Sequence, residues 1–388
     1  MDIRAILLVG GLAPEAESIG GVPIAYLDVL GLPVVERVLR RLRHFGISET
    51  TLISDVPAVS ACFAGPAALD QRVRRIEVAG EQFWNTAGHT FQEYAEHGAD
   101  LVIALRVGPY VEVDYEELIQ HHLDHRCAVS MAVDADNFSL DLFVLNASGR
   151  LDARELFHSH LQHLRRECKP FQVTGYVNRL HSAADLRRMG ADGLLARNAV
   201  RPEGMEVKPG VFVGRGARVH RKARVVAPAF IGAFAKVRAL ALITRGSVLE
   251  HHAEVDCGTV VENSSLLPFT RLGAGLDVMH SVVGFRHLAH LARNVEVQIS
   301  DAKIVDMVPL TPFSRLLGST AALFALLPKQ IYRGIFAPSH RKSATANPEC
   351  LGQEGPVLGT PLLESPASGA ERSEFPSTLA VVRRYGDH

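Results

Sequence analysis

The chain has 388 residues, enough for about two to three domains, and its 47% hydrophobic and 21% charged residues give an ordinary globular balance. Lys+Arg number 41 against 42 Asp+Glu, a net charge of −1. With no basic block read in the sequence, this argues against a nucleic-acid binder, whose affinity rests on phosphate neutralisation.

Five cysteines, Cys62, Cys127, Cys168, Cys257 and Cys350, are odd in number, far apart and without a CxxC pair. They argue against a disulfide framework or a zinc ribbon and for reduced thiols in a cytosolic protein. The start, Met1-Asp2-Ile3-Arg4, lacks the pattern of a signal peptide. The longest uncharged apolar stretch near the end, 316–327, is too short to span a bilayer.

The apolar run over 3–9, ended by Gly10-Gly11, predicts a strand buried on both faces. Val35, Val38, Leu39, Leu42 and Phe45 then recur at helical spacing, with Arg37, Arg40, Arg41 and Arg43 between them and Gly46 at the end. Further along, the patterns predict strands at 51–54 and 76–78, a helix at 90–96 and a strand at 101–105. Next come a helix at 115–125, strands at 128–133 and 140–145, and helices at 154–166 and 184–195. Strands alternating with helices predict a mostly parallel α/β domain over 1–197, with a ligand crevice at the carboxyl ends of the strands.

Over 205–300 the pattern changes. Val207, Val213, Val219, Val225, Ile231, Val237, Ile243, Leu249, Val255, Val261 and Leu267 follow one another at intervals of six. From Ala217 to Ser265 a small residue sits two positions before each of them. This period fits a three-sided parallel β-helix, each side taking one hexad. The frame is expected to slip at Leu272 and Val278, and Val282-Val283 to begin a last irregular coil. Residues 301–338 are expected to form a segment that caps the coil or lies on a membrane, with the contact at 312–337, and 339–388 to be a disordered tail.

Three places resemble the sugar-nucleotide pyrophosphorylase family, the nucleotidyltransferases that join a nucleoside triphosphate to a sugar 1-phosphate, such as mannose-1-phosphate guanylyltransferase. Ala5 to Gly11 stands where that family has its first strand and glycine-rich loop, and Gly31-Leu32-Pro33-Val34-Val35 matches its GKPLI segment. Ala99-Asp100-Leu101-Val102-Ile103, followed by Glu112-Val113-Asp114-Tyr115, matches its central strand and next helix. Gly175-Tyr176-Val177-Asn178-Arg179-Leu180 resembles the segment before its β-helix. The resemblance covers about 3–300. It implies a mostly parallel, Rossmann-like nucleotidyltransferase domain followed by a left-handed parallel β-helix, with assembly as a homo-oligomer through the coil. It also implies a nucleoside triphosphate or nucleotide sugar as ligand, Mg²⁺ as cofactor and a place in polysaccharide synthesis.

On that resemblance Gly10 and Gly11 bind nucleotide. Where the family holds Mg²⁺ with an aspartate after the central strand, this chain has Gly108, leaving Glu112 and Asp114 as the nearest carboxylates. The third family aspartate aligns with Arg179, which suits a sugar phosphate. The family's phosphate-gripping Arg and Lys are absent: between Arg4 and Arg37 there is no Lys, Arg or His, while Glu15, Glu17, Asp28 and Glu36 are present. The expectation is a pyrophosphorylase-like protein, with a catalytically silent nucleotide-sugar sensor or scaffold as the alternative. It is expected in the cytoplasm, with a peripheral membrane location open. A coil-borne acyltransferase is a third reading, with His220, His251, His252 and His280 as candidate bases. His121 and His125, one helical turn apart, are a candidate metal pair, and His158, His160 and His163 form a second cluster; both are expected to be ordinary helix faces.

Overall fold

The computed structural model describes residues 1–10, 18–20, 22–47, 49–55, 73–78, 80–147, 157 and 169–308. Gly11, all but Phe157 of the helix expected at 154–166, the histidines at 158–163, the segment 312–337 and the tail 339–388 lie outside the described residues. The described chain is mixed α/β, mostly strand, with parallel sheets and four α-helices.

A seven-stranded sheet organises the first part. Its strands are β1 (Ile3–Val9), β2 (Glu49–Ser54), β3 (Val73–Glu77), β4 (Leu101–Arg106), β5 (Val129–Val133), β6 (Ser139–Asn146) and β7 (Lys169–Gln172). They lie in the order β7-β5-β6-β4-β1-β2-β3. All neighbours are parallel except β6, which is antiparallel to both β5 and β4. The apolar run of β1 has a simple cause. Ala5, Leu7 and Val9 enter one buried cluster with α1 (Val34–His44), whereas Ile6 and Leu8 enter another with Phe83 and Phe91 of α2 (Phe83–Glu96). A strand covered on both faces has no polar side to show.

Helix α1 ends at Gly46, where φ is +82°, the left-handed position that glycine tolerates at a helix end. Helices α3 (Tyr115–Asp124) and α4 (Ala183–Leu194) complete the set. The structure starts α2 at Phe83, seven residues before the expected helix, because Phe83, Trp84 and Ala87 already belong to its buried side. It also adds β7, a four-residue strand too short to show a period.

From Val211 the chain visits three ladders in rotation. One runs from Val211–Val213 through Ala229–Ile231 and Ser247–Leu249 to Ser265–Leu266. The second joins Arg218–Val219, Lys236–Val237, Glu254–Val255 and Thr270–Leu272, and the third Arg224–Val225, Leu242–Thr244, Val260–Glu262 and Asp277–Met279. All these pairings are parallel. Val211 lies opposite Ala229, eighteen residues on, but Val248 lies opposite Ser265, seventeen on.

That missing residue corrects the expected frame. Val261 points into the repeat, and the next inward side chain is Leu266, followed in step by Leu272 and Val278. Leu267, expected inward, instead joins the cluster shared with the first sheet. The slip therefore falls between Val261 and Leu266, not at Leu272. Val207 is another correction: it is 52% exposed, on a strand that runs antiparallel to Val211–Val213. Val282-Val283 does begin a further, irregular turn: Ser281–Gly284 pairs in parallel with Ser265–Leu266, extending the first ladder, and the chain then turns back as a hairpin with His287–His290.

The small residues beside the inward positions are used for hydrogen bonds as well as space. Ser247 Oγ, with a single proton to donate, lies 2.6 Å from Thr244 O and 3.1 Å from Val261 O, and Thr259 Oγ1 donates to Gly273 O at 2.6 Å. Each hydroxyl satisfies a carbonyl at a corner where the ladder is interrupted.

Candidate functional site

The parallel strands end together along one edge, where open α/β sheets bind ligands. Gly10 ends β1 with φ +100°. A Cβ there would overlap Asp55 Oδ1, so only glycine lets Asp55, at the end of β2, come so close.

Beside them Arg106, at the end of β4, donates from Nε to Asp141 Oδ2 at 3.1 Å, with a second, shorter bond from the same guanidinium. Asp141 has φ +53° and is steadied by Ser139, whose Oγ accepts its N–H at 3.2 Å. A non-glycine residue in that region is held by its surroundings at a cost.

Arg179 makes the same kind of pair with Asp134, just past β5, through Nε at 3.1 Å. Asp134 Oδ1 accepts the N–H groups of Asp136 and Phe138 at 3.0 and 2.9 Å. Desolvation raises the Asp134 carboxyl, but the Arg179 bond and these two amides outweigh it and hold it below the usual carboxylate range. The Arg179 guanidinium lies 4.6 Å from the centre of the Phe138 ring, which is 60% exposed.

The residues expected to hold Mg²⁺ do not fit it. Asp114 caps α3, Oδ1 accepting the N–H groups of Glu116 and Glu117 at 2.9 and 3.2 Å. Glu112 Oε1 accepts the Ala199 N–H at 2.6 Å. Its backbone is crowded by Gly175, where a Cβ would overlap Glu112 O. The two carboxylates serve separate amides, and no group of three His, Cys, Asp or Glu suited to a metal occurs among the described residues.

The candidate histidines are also placed. The His121 and His125 rings lie with centroids 4.2 Å apart and planes tilted by 42°, and His125 Nδ1 is 2.8 Å from His121 O. Between them in sequence, His122 is buried, bridging Ser130 Oγ at 2.9 Å and Asn146 Oδ1 at 3.0 Å. His252 is stacked between Phe234 and Phe269, with centroids 5.1 and 4.8 Å away. His220 and His280 are exposed.

His251 belongs to a buried joint that sequence reasoning missed. Its Nδ1 meets Asp28 Oδ2 at 2.5 Å, while Glu250 accepts the N–H groups of Leu30 and Gly31 at 2.7 and 2.8 Å. Arg37 is buried beneath, donating to the carbonyls of Val29, Leu30 and Arg201. Burial pushes the Glu250 carboxyl up to about 8, reinforced by Asp28 and opposed by the two N–H groups and His251. Nearby, Arg187 reaches from α4 to Gly246 O at 2.7 Å and to Asn263 Oδ1 at 2.7 Å. The available signal is Glu250-His251-His252, a polar triplet in an aliphatic repeat, of which the sequence reading takes up only the two histidines, as candidate bases.

Neither a known protein-family model nor a curated protein sequence matches the chain.

Proposed function

We propose that this chain binds a nucleotide sugar at the carboxyl edge of its seven-stranded sheet and does not transfer a nucleotidyl group. In this reading the sheet and its helices are a Rossmann-like nucleotidyltransferase domain, and the three ladders are the sides of a left-handed parallel β-helix that assembles copies of the chain. The protein works in the cytoplasm.

The observation that carries the reading is the pairing of Arg106 with Asp141 and of Arg179 with Asp134. Nucleotidyl transfer needs cations or a metal clamp to neutralise the phosphates as pyrophosphate leaves. Here two edge arginines already face carboxylates of their own, and Glu112 and Asp114 are bonded to backbone amides. Gly10 stands where the resembled family begins its phosphate-binding loop, and Phe138 beside Arg179 offers an exposed ring for a base to stack on. These contacts hold a ligand without polarising it.

Calorimetric titration with nucleotide sugars and nucleoside triphosphates, with and without Mg²⁺, tests the reading. The expected result is nucleotide-sugar binding indifferent to Mg²⁺ and no pyrophosphate released from a triphosphate with a sugar 1-phosphate. Mg²⁺-dependent triphosphate binding with pyrophosphate release would instead assign the active enzyme. Failure of both ligands to bind would remove nucleotide readings altogether.

A further inference from the structure

Residues 207–249 hold nine Lys and Arg and no Asp or Glu; all 42 acidic residues of the chain lie elsewhere. The near-neutral total concealed this. Lys236 and Arg245 are paired, with Glu254 and Glu262 of later turns. Arg215, Arg218, Arg221, Lys222, Arg224 and Arg238 are exposed and have no ion-pair partner among the described residues.

The ladders bring most of them to one end of the repeat. Arg218–Val219 and Arg224–Val225 are the outermost strands of their sheets. The His220 N–H donates to Val237 O at 2.9 Å and the Arg224 N–H to Ala241 O at 2.9 Å. These bonds set Arg238 and Leu240 of the next turn beside His220, Arg221 and Lys222. Leu240 is 69% exposed, and on the outer turn Val219 and Val226 are 38% and 37% exposed.

Cations at an open strand edge guard it against strand addition, and charge alone does that. This surface is different because apolar side chains stand exposed among the cations. A second copy of the same end would be repelled by like charge. A surface carrying negative charge over an apolar interior satisfies both features: polybasic clusters are drawn to anionic headgroups, and neighbouring apolar side chains enter the headgroup boundary. We propose that this end of the repeat, centred on Arg221, Lys222 and Leu240, docks the protein on an anionic phospholipid membrane. The concentration of all acidic residues elsewhere would orient the molecule with this end toward the lipid. The proposal stands apart from the nucleotide-sugar reading and from residues 312–337.

The test is flotation of the full chain with vesicles of phosphatidylcholine alone or mixed with phosphatidylglycerol, at low and high salt. The expected result is binding to the mixed vesicles only, weakened by salt. Arg221→Glu with Lys222→Glu lowers the partition coefficient at least about tenfold, and Leu240→Ser lowers it at unchanged charge. Thermal melting checks folding, and Arg238→Gln gives a milder charge variant. Equal binding to both vesicle types, or binding unmoved by these substitutions, overturns the proposal. So does failure to bind vesicles while duplex DNA or RNA is bound in a way that the charge reversal abolishes.

Discussion

His251 Nδ1 lies 2.5 Å from Asp28 Oδ2, joining a residue of the three-ladder repeat to a turn 223 positions earlier. The contact is buried on both sides, with Asp28 at 2% and His251 at 7% exposure. Together with Glu250 on the Leu30 and Gly31 amides, it fixes the first sheet's loop against the repeat. It also places three titratable side chains where water does not screen them.

Glu250 makes that joint pH-dependent. Its folded pKa, about 8, is raised above an ordinary value near 4.5, first by burial and then by Asp28. A raised pKa means that the folded state favours the proton. The contribution is therefore complete below about pH 4.5 and is lost as pH rises through about 8. Denaturation midpoints should fall on the alkaline side, and Glu250→Gln should flatten that fall, even though the amide serves the two N–H donors less well and lowers stability throughout. An unchanged alkaline slope in the variant would show that Glu250 does not set the alkaline side.

The frame of the repeat is open to a paired substitution. Leu266 is inside the repeat and Leu267 outside it, beside Gly20 and Gly284. Leu266→Ala should leave a cavity and cost about 2–5 kcal/mol, with faster hydrogen exchange in the ladder from Ser247 to Gly284. Leu267→Ala should speed exchange in the hairpin of Ser18–Ile19 and Val22–Pro23, leaving the ladders protected. Reversal of the two patterns would restore the unbroken six-residue frame.

The repeat was legible because eleven aliphatic residues at one spacing leave few alternatives, whereas its slip was not. Leu266 and Leu267 are both leucine, and only the seventeen-residue register of Val248 against Ser265 tells them apart. The first sheet was visible through long apolar runs such as β1, while β7, with four residues, carried too little pattern. Arg37 shows a deeper limit. It lies among arginines on an apparently polar helix stripe, yet it is 7% exposed because Val29 O, Leu30 O and Arg201 O receive it. Those partners are set by the fold, and residue 201 lies 164 positions away. Similarly, Asp114 in the sequence is a carboxylate in a motif, and only the structure shows the two amides it caps.

His252 should govern the acid side. Burial first, then His251 and Lys236, lower its pKa from 6.5 to about 4, so the ring stays neutral in the stack with Phe234 and Phe269. A depressed histidine pKa gives stability that is present above about pH 6.5 and lost as pH falls through about 4. His252→Phe should keep the stack and reduce the acid-side loss in melting temperature. His252→Ala should remove both, at about 1–3 kcal/mol. A steeper acid-side loss with phenylalanine would contradict the stacked, neutral ring.

Gly10 tests whether the carboxyl edge is a binding site. Its φ of +100° disfavours any side chain, and a methyl group would push Asp55 away. Gly10→Ala should therefore cost stability of order 1–3 kcal/mol and also weaken nucleotide-sugar binding. Asp114→Ala is the control: losing the cap should cost about 1 kcal/mol without touching the edge, so ligand affinity should hold. Calorimetry on both variants, at a temperature where each is folded, separates the effects. Equal affinity in Gly10→Ala and the parent chain would move the ligand away from β1, whereas a loss shared by Asp114→Ala would tie binding to general stability instead of to this edge.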